Sequence, residues 1–234
     1  MVDIVAYGAH PDDLELGIGG TLIAHVRQGW NVVGIDMTRG EMGSNGTPEE
    51  RVGESNAAAE VMGLSSRPNL DLPDMGIAVE DKQLRVVVDS IRRLRPKILI
   101  APYWHSHHPD HENAGHLLRK AFFVSGLKKF KTESSPYRPG AIYYYALPRD
   151  LKPTLIVDIT PYFEEKLEAI KQHVSQFRRD GETFPTNINS PGFQERIKGA
   201  NLYWGRQAGV QYGEPLFSPR PPRVKNLFWG EKEK

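Results

Sequence analysis

The sequence contains no cysteine. Disulfides, thiolate nucleophiles and cysteine-ligated metals are excluded together, so any metal centre must be built from histidines and carboxylates. Charge of one sign is also lacking: 30 Lys and Arg stand against 29 Asp and Glu, a formal net charge of +1 over 234 residues. No block of five or six like charges occurs, so the basic surface of a nucleic-acid binder is absent. The local clusters Arg92-Arg93-Arg95 and Lys128-Lys129-Lys131 read as solvated helix faces. No apolar run approaches the roughly 18 residues a membrane-spanning helix needs. The N-terminus has no charged stretch followed by a long apolar one, so no secretory leader is expected. The expectation is a chain with no membrane or nucleic-acid partner, cytoplasmic by default. With 39% apolar residues it can build a core without covalent staples.

What is present is alternation. Short apolar runs at 3–8, 31–37, 98–101, 141–145 and 154–159 read as strands, with a weaker one at 67–72. Helical patterns lie between them. Leu22, Ile23 and Val26 share one helix face. Thr47-Pro48-Glu49-Glu50 is a helix start, with Thr as cap, Pro at the first position and Glu three residues on. Leu84, Val87, Val88, Ile91 and Leu94 repeat at helical spacing up to Arg95-Pro96, and a further helix is expected over 109–127. Such alternation predicts an α/β fold with a parallel sheet covered on both faces. After residue 160 the pattern is helical: Phe163, Leu167, Ile170, Val174 and Phe177 form one stripe, and Ser190-Pro191 opens a last helix. The whole chain, 1–234, reads as a single domain. Its segment 215–234 is a proline-rich tail expected to be irregular, with Leu227, Phe228 and Trp229 suited to docking on the body or on another subunit.

Two clusters carry chemistry, each just beyond a strand. The first is Ala9-His10-Pro11-Asp12-Asp13. The second is His105-Ser106-His107-His108-Pro109-Asp110-His111, which holds four of the eight histidines. Ligands of open α/β sheets bind outside the carboxyl ends of the strands, so the clusters would face each other if their strands are neighbours. Crowded carboxylates and imidazoles at a sheet edge are unfavourable unless a cation offsets them. Zinc suits two imidazoles and one carboxylate, with a fourth position left open. Adjacent residues rarely both reach one metal, so one of Asp12 and Asp13 is expected to bind it and the other to serve as a general base. The segment His108 to His111 offers a second histidine with its own carboxylate, suited to stabilising an oxyanion.

Rival readings are weaker. Gly17-Ile18-Gly19-Gly20 follows the first strand, but its spacing departs from the dinucleotide-binding fingerprint. Asp12 and Asp13 would also stand where pyrophosphate belongs, so the glycines are read as allowing close helix–strand packing. A metal-assisted phosphoesterase often uses two metals about 4 Å apart, whereas the ligand count here supports one. A nucleotide-binding or metal-sensing module is the non-enzymatic alternative.

At these residues the sequence resembles the PIG-L/LmbE family of zinc-dependent N-acetylglucosaminyl deacetylases. The matching pieces are Ala9 to Asp13 with Glu15 and Gly17, then Thr38-Arg39-Gly40-Glu41, Arg51, Leu72-Pro73-Asp74-Met75-Gly76 and His108-Pro109-Asp110-His111. Within it, Ser44-Asn45-Gly46-Thr47, Ala101-Pro102-Tyr103-Trp104, Ser175-Gln176-Phe177 and Tyr212-Gly213-Glu214 most resemble the deacetylases of bacillithiol biosynthesis. The resemblance implies a Rossmann-like three-layer sandwich with a mostly parallel sheet. It implies zinc, or Fe²⁺ in vivo, held by His10, Asp13 and His111. Asp12 would be the general base. His108, oriented by Asp110, would stabilise the oxyanion and protonate the leaving amine. Arg51 and Asp74 would contact substrate. The implied partner is a small amino-sugar conjugate, N-acetylglucosaminyl malate first and a chitooligosaccharide as the alternative, and the implied assembly is a homo-oligomer, a trimer or hexamer. His105 and His107 read as rim residues. His25, His116 and His173 read as structural, and at least one of Tyr143, Tyr144 and Tyr145 should face the core.

Overall fold

The apolar runs become strands buried on both sides, which is why they read as continuous rather than alternating. The computed structural model describes residues 2–178 and 183–222. Along the chain the elements are β1 (Ile4–Gly8), α1 (Asp13–Arg27), β2 (Val32–Asp36), α2 (Pro48–Met62), α3 (Asp81–Leu94), β3 (Ile98–Pro102), α4 (Pro109–Val124) and β4 (Ala141–Tyr145). Then come β5 (Leu155–Asp158), α5 (Phe163–Lys171), α6 (Val174–Phe177), α7 (Phe193–Ala208) and β6 (Gly213–Leu216). The first four strands form a parallel sheet in the order β2-β1-β3-β4. Val5, Tyr7, Val33, Ile35, Leu99, Ala101, Ile142 and Tyr144 point to one face, against Leu84, Val87, Val88 and Ile91 of α3 and Leu117 and Leu118 of α4. Ile4, Ala6, Val32, Ile100 and Tyr145 point to the other, against Leu14, Ile18 and Leu22 of α1. The period-two pleat thus sorts one set of strands between two helical layers, giving the expected α/β sandwich. Tyr144 and Tyr145 are both buried, on opposite faces. Among the described residues no helix is long and apolar enough to cross a membrane.

The capping box at the start of α2 forms as expected: Glu50 N–H donates to Thr47 Oγ1 and Thr47 N–H to the Glu50 carboxylate. The glycines of α1 serve packing. A Cβ at Gly17 would collide with the Tyr145 ring, and one at Gly20 would come within 2.7 Å of Ile159.

Several expectations are corrected. The run 67–72 makes one isolated parallel bridge, Asp36 to Asn69, and another, Val33 to Ser66, lies just before it. Pro68 has no N–H to give a ladder, and Asp71 sits at φ 52°, so regular pairing cannot propagate. The strand at 155–158 does not join the parallel sheet but pairs antiparallel with β6 in a separate ribbon. β6 also takes in Pro215 and Leu216, the first residues of the expected irregular tail, and the end of that tail, with Leu227, Phe228 and Trp229, lies outside the described residues. The stripe from Phe163 breaks between α5 and α6, leaving Val174 exposed. Arg92 is no solvated residue. It is buried and donates to the carbonyls of Ser125, Leu127 and Phe130, closing the C-terminal end of α4.

Arg67 centres a buried ion cluster: its guanidinium donates to both carboxylate oxygens of Glu15 and, at 3.0 Å each, to both of Asp36. Burial alone would raise Glu15, but Arg67 and His173 outweigh it and hold the carboxyl at about 2. A folded-state pKa below the unfolded value of 4.5 means that this stabilisation is complete above about pH 4.5 and is lost as the pH falls towards 2. Asp36, pushed up by burial, works in the opposite direction. Urea midpoints measured from pH 5 downward are expected to fall, and Glu15→Gln is expected to flatten that decline. An unchanged slope in the variant would contradict the assignment.

Candidate active site

The strands that launch the two clusters are neighbours. β1 and β3 pair in parallel, with Ile4 opposite Ile98 and Ala6 opposite Ile100. The chain leaves β1 towards β2 on one side and returns to β3 on the other, so their carboxyl ends form the switch point of the sheet. His10 to Asp12 lie in the loop after β1 and His108 caps the N-terminus of α4 after β3.

Asp12 has φ 127°, a left-handed conformation that costs of order 1–3 kcal/mol in a non-glycine residue. That twist sends adjacent carboxylates apart. Asp13 turns inward: its Oδ2 accepts the His10 N–H at 2.9 Å and lies 3.7 Å from His10 Nδ1, while Oδ1 lies 3.0 Å from His111 Nε2. Asp12 turns to Arg51, whose Nη2 is 3.4 Å from its Oδ2 and 2.7 Å from the carbonyl of Pro11. Arg51 Nη1 donates to the carbonyl of Gly40 at 3.1 Å. The sequence alone leaves Arg51 readable as an exposed first-turn residue, but it is buried.

The other nitrogen of His10, Nε2, faces two carboxylates, Asp74 Oδ1 at 3.1 Å and Asp110 Oδ2 at 3.3 Å. Asp74 also accepts the Met42 N–H at 2.8 Å, and Asp110 accepts those of Met75 at 2.7 Å and Ile77 at 3.3 Å. Residues 73–76 form the turn their composition suggests, closed by Gly76 N–H on the carbonyl of Pro73. The expected pairing of the Asp110 side chain with His108 is corrected: that carboxylate lies behind His10. Only the Asp110 backbone N–H meets His108, donating to Nδ1 at 3.3 Å. A residue in the first turn of a helix offers its N–H to the cap, so this bond comes with α4 itself.

Ring nitrogens of His10, His108 and His111 lie within 4.8 Å of one another, as do donor atoms of His10, Asp74 and Asp110. Burial alone would lower His10, but Asp110, Asp13 and Asp74 outweigh it and raise it to about 12. Burial would raise Asp13, but His111 and His10 hold it well below the usual range. Burial raises Asp12 despite Arg51, and burial, then His111 and His10, lowers His108. The field that draws a proton onto His10 would equally draw a divalent cation.

All of these groups except Asp110, which lies behind His10, line a cavity of about 470 Å³. Its outer wall escaped the sequence reading: Met42, Gly43 and Ser44 on one side, Gln176, Thr186, Asn187, Ile188 and Phe193 on the other. Asn45 ties the two walls together, exchanging side-chain hydrogen bonds with the backbone N–H and carbonyl of Phe184 at 2.8 and 2.9 Å. Ser44-Asn45-Gly46 and Ser175-Gln176 were visible signals, but only the fold shows what they join. His107 lies exposed on the rim of the cavity, and His105 is exposed outside it. His173 is buried, 3.3 Å from the Glu15 carboxylate.

Residues 5–122 match the family described as PIG-L, GlcNAc-PI de-N-acetylase. A diacetylchitobiose deacetylase of Thermococcus kodakarensis is 30% identical, over 88% of this chain and 79% of its own. A probable N-acetyl-alpha-D-glucosaminyl L-malate deacetylase of Bacillus anthracis is 28% identical over 72% of this chain and 78% of its own. Among solved structures, a conserved protein of Thermus thermophilus superposes with a TM-score of 0.89 at 36% identity, covering 98% of this chain and all of that one. The matched half carries both clusters and the full-length likeness extends to the rest, so this chain belongs to the PIG-L family of de-N-acetylases.

Proposed function

We propose that the chain is a metal-dependent deacetylase of a neutral N-acetylglucosaminyl saccharide, of the diacetylchitobiose kind. The observation that carries this is the convergence of His10 Nδ1 and His111 Nε2 on the two oxygens of Asp13, at 3.7 and 3.0 Å. A tetrahedral ion with bonds of about 2.0–2.2 Å keeps its donors about 3.3–3.6 Å apart, a range that the two distances to the Asp13 carboxylate bracket. Zinc suits this donor set, and Fe²⁺ fits it as well. His10 would bind through Nδ1, because Nε2 is held by Asp74 and Asp110, the outer carboxylates that orient a ligating imidazole. Asp74 then acts through His10 and the Met42 loop as well as lining the cavity.

When bound, the ion would polarise the acetamide carbonyl and acidify the attacking water. Asp12, buried and raised, takes the proton from that water. With Asp110 N–H donating to Nδ1, the His108 ring proton is assigned to Nε2. That N–H donates to the carbonyl oxygen as it gains negative charge. A ring kept neutral has a hydrogen bond to give but no spare proton. The proton collected by Asp12 is therefore the one returned to the leaving amine, and acetate departs.

The malate conjugate, the first expectation from sequence, gives way to the saccharide. Similarity is higher and more extensive to the diacetylchitobiose deacetylase. The cavity points the same way. Asp12, Asp13 and Asp74 line it, and among the described lining residues the one guanidinium, Arg51, is engaged by Pro11, Gly40 and Asp12. A dicarboxylate would meet like charge, whereas a sugar ring can lay its C–H face on Met42, Met75, Ile188 and Phe193.

The test is acetate release from a substrate panel by protein stripped with a chelator and reloaded with Zn²⁺. N,N'-diacetylchitobiose is expected to exceed N-acetylglucosaminyl malate in kcat/KM by at least about tenfold, and the stripped protein to be inactive. Full activity without metal would end the metal-dependent reading, and a reversed preference would restore the malate conjugate. Gly40→Ala is a finer probe. Its new Cβ would collide with the Arg51 guanidinium, displacing the group that fixes Asp12. Turnover is expected to fall about tenfold or more with zinc content unchanged.

A further inference from the structure

Helix α1 is broken one turn in. Ile18 sits at φ −143° and ψ 18°, outside helical space, and the two groups that an unbroken helix would pair there, Gly20 N–H and the Leu16 carbonyl, are each bonded by a side chain. The two side chains form a buried ion pair. Lys166 Nζ donates to the Leu16 carbonyl at 3.1 Å and to Glu214 Oε1 at 2.6 Å. Glu214 Oε1 accepts Gly20 N–H at 3.1 Å and its Oε2 accepts Thr21 N–H at 2.6 Å. An ammonium thus ends the first helical segment and a carboxylate starts the second, each at the helix terminus whose dipole it complements. Both side chains are wholly buried. Gly19 makes room for them: a Cβ there would crowd Lys166 Cγ at 3.3 Å.

The short segment so held begins with Asp13 and includes Leu16 of the cavity wall. It is anchored on one side by β1 and on the other by this pair, which reaches in from α5 and β6. A buried ion pair adds little net stability over apolar packing and is best attested as a device of specificity. Stability alone therefore gives little reason for it.

We propose that Lys166 and Glu214 are positioning residues of the active site. They clasp the break in α1 and so fix the direction in which its first turn presents Asp13 to His10 and His111. The proposal rests on the metal-dependent reading above. Without the clasp, the segment 13–17 is free to close the ordinary helical hydrogen bond across Ile18. That closure rotates the first turn and carries Asp13 off the donor set.

The test uses the full chain as the neutral, similarly shaped double variant Lys166→Met/Glu214→Gln, stripped by chelation and titrated with Co²⁺ by visible absorption. The Co²⁺ dissociation constant is expected to rise about tenfold or more. Amide hydrogen exchange in the stripped protein should quicken within residues 12–21 and stay at parental rates in α3 and α4. In the Zn²⁺-loaded protein kcat should fall while KM stays within about threefold. Val87→Ala, a core truncation in α3, provides a destabilised control that should keep parental Co²⁺ affinity. Parental affinity and parental exchange at 12–21 in the folded double variant would overturn the proposal. If that variant does not fold, Lys166→Arg keeps the charge but misplaces the donor to Leu16, and parental Co²⁺ affinity there would overturn it equally. If the parent binds Co²⁺ but deacetylates no N-acetyl sugar, the reaction reading fails while the Co²⁺ and exchange measurements still decide the clasp.

Discussion

Asp12→Asn is expected to hold one zinc ion per chain as tightly as the parent and to release acetate about 10²–10⁴ times more slowly. The substitution keeps shape and leaves an oxygen for the Arg51 contact at 3.4 Å, so the loop geometry should survive. What disappears is the one carboxylate of the pair that is not bonded to His10 or His111. Burial raises its proton affinity, and an amide has none to offer. Metal analysis and acetate release on the same preparation decide the matter. Loss of zinc from this variant would show that Asp12 is a ligand and that the division of labour between the aspartates is wrong.

Asp13→Ala should produce the opposite pattern: metal affinity down at least about 100-fold, with activity gone at ordinary zinc concentrations. Asp13 is the group that His10 and His111 both face, and it also accepts the His10 N–H. Its removal leaves two imidazoles without a shared carboxylate and His10 without its backbone tie. Activity that returns in proportion to added zinc would fit a ligand. An inactive variant with full zinc content would assign Asp13 to turnover instead. A stoichiometry of two metals in the parent would favour the phosphoester reading, because the second donor set shares His10 with the first.

The central sheet was legible because its strands are buried on both faces and so appear as unbroken apolar runs. The His and Asp clusters were legible because such crowded groups at a sheet edge call for an offsetting positive charge. What escaped has a common cause: long-range pairing leaves no local period. The segment 67–72 has strand-like composition, yet Arg67 is drawn to Glu15 and Asp36. The partner of Asp110 could not be read from the four residues His108 to His111, because it stands in the loop after the neighbouring strand, at His10. Lys166 follows two glutamates and reads as any charged helix residue, and only Glu214, distant in sequence, makes its burial tolerable. Gly19, which leaves room for Lys166, was the local trace of that arrangement.

The placement of β1 beside β3 has a consequence for synthesis. His10 and Asp13 leave the ribosome early, but the strand that brings His111 to them pairs only after residues 98–102 have emerged. Closing a loop of that span is slow compared with local helix formation. A nascent chain therefore displays the first cluster well before it can grip an ion. With the proposed ligands, metal capture would follow the pairing of β1 with β3, and a zinc chelator present during translation should leave that topology intact.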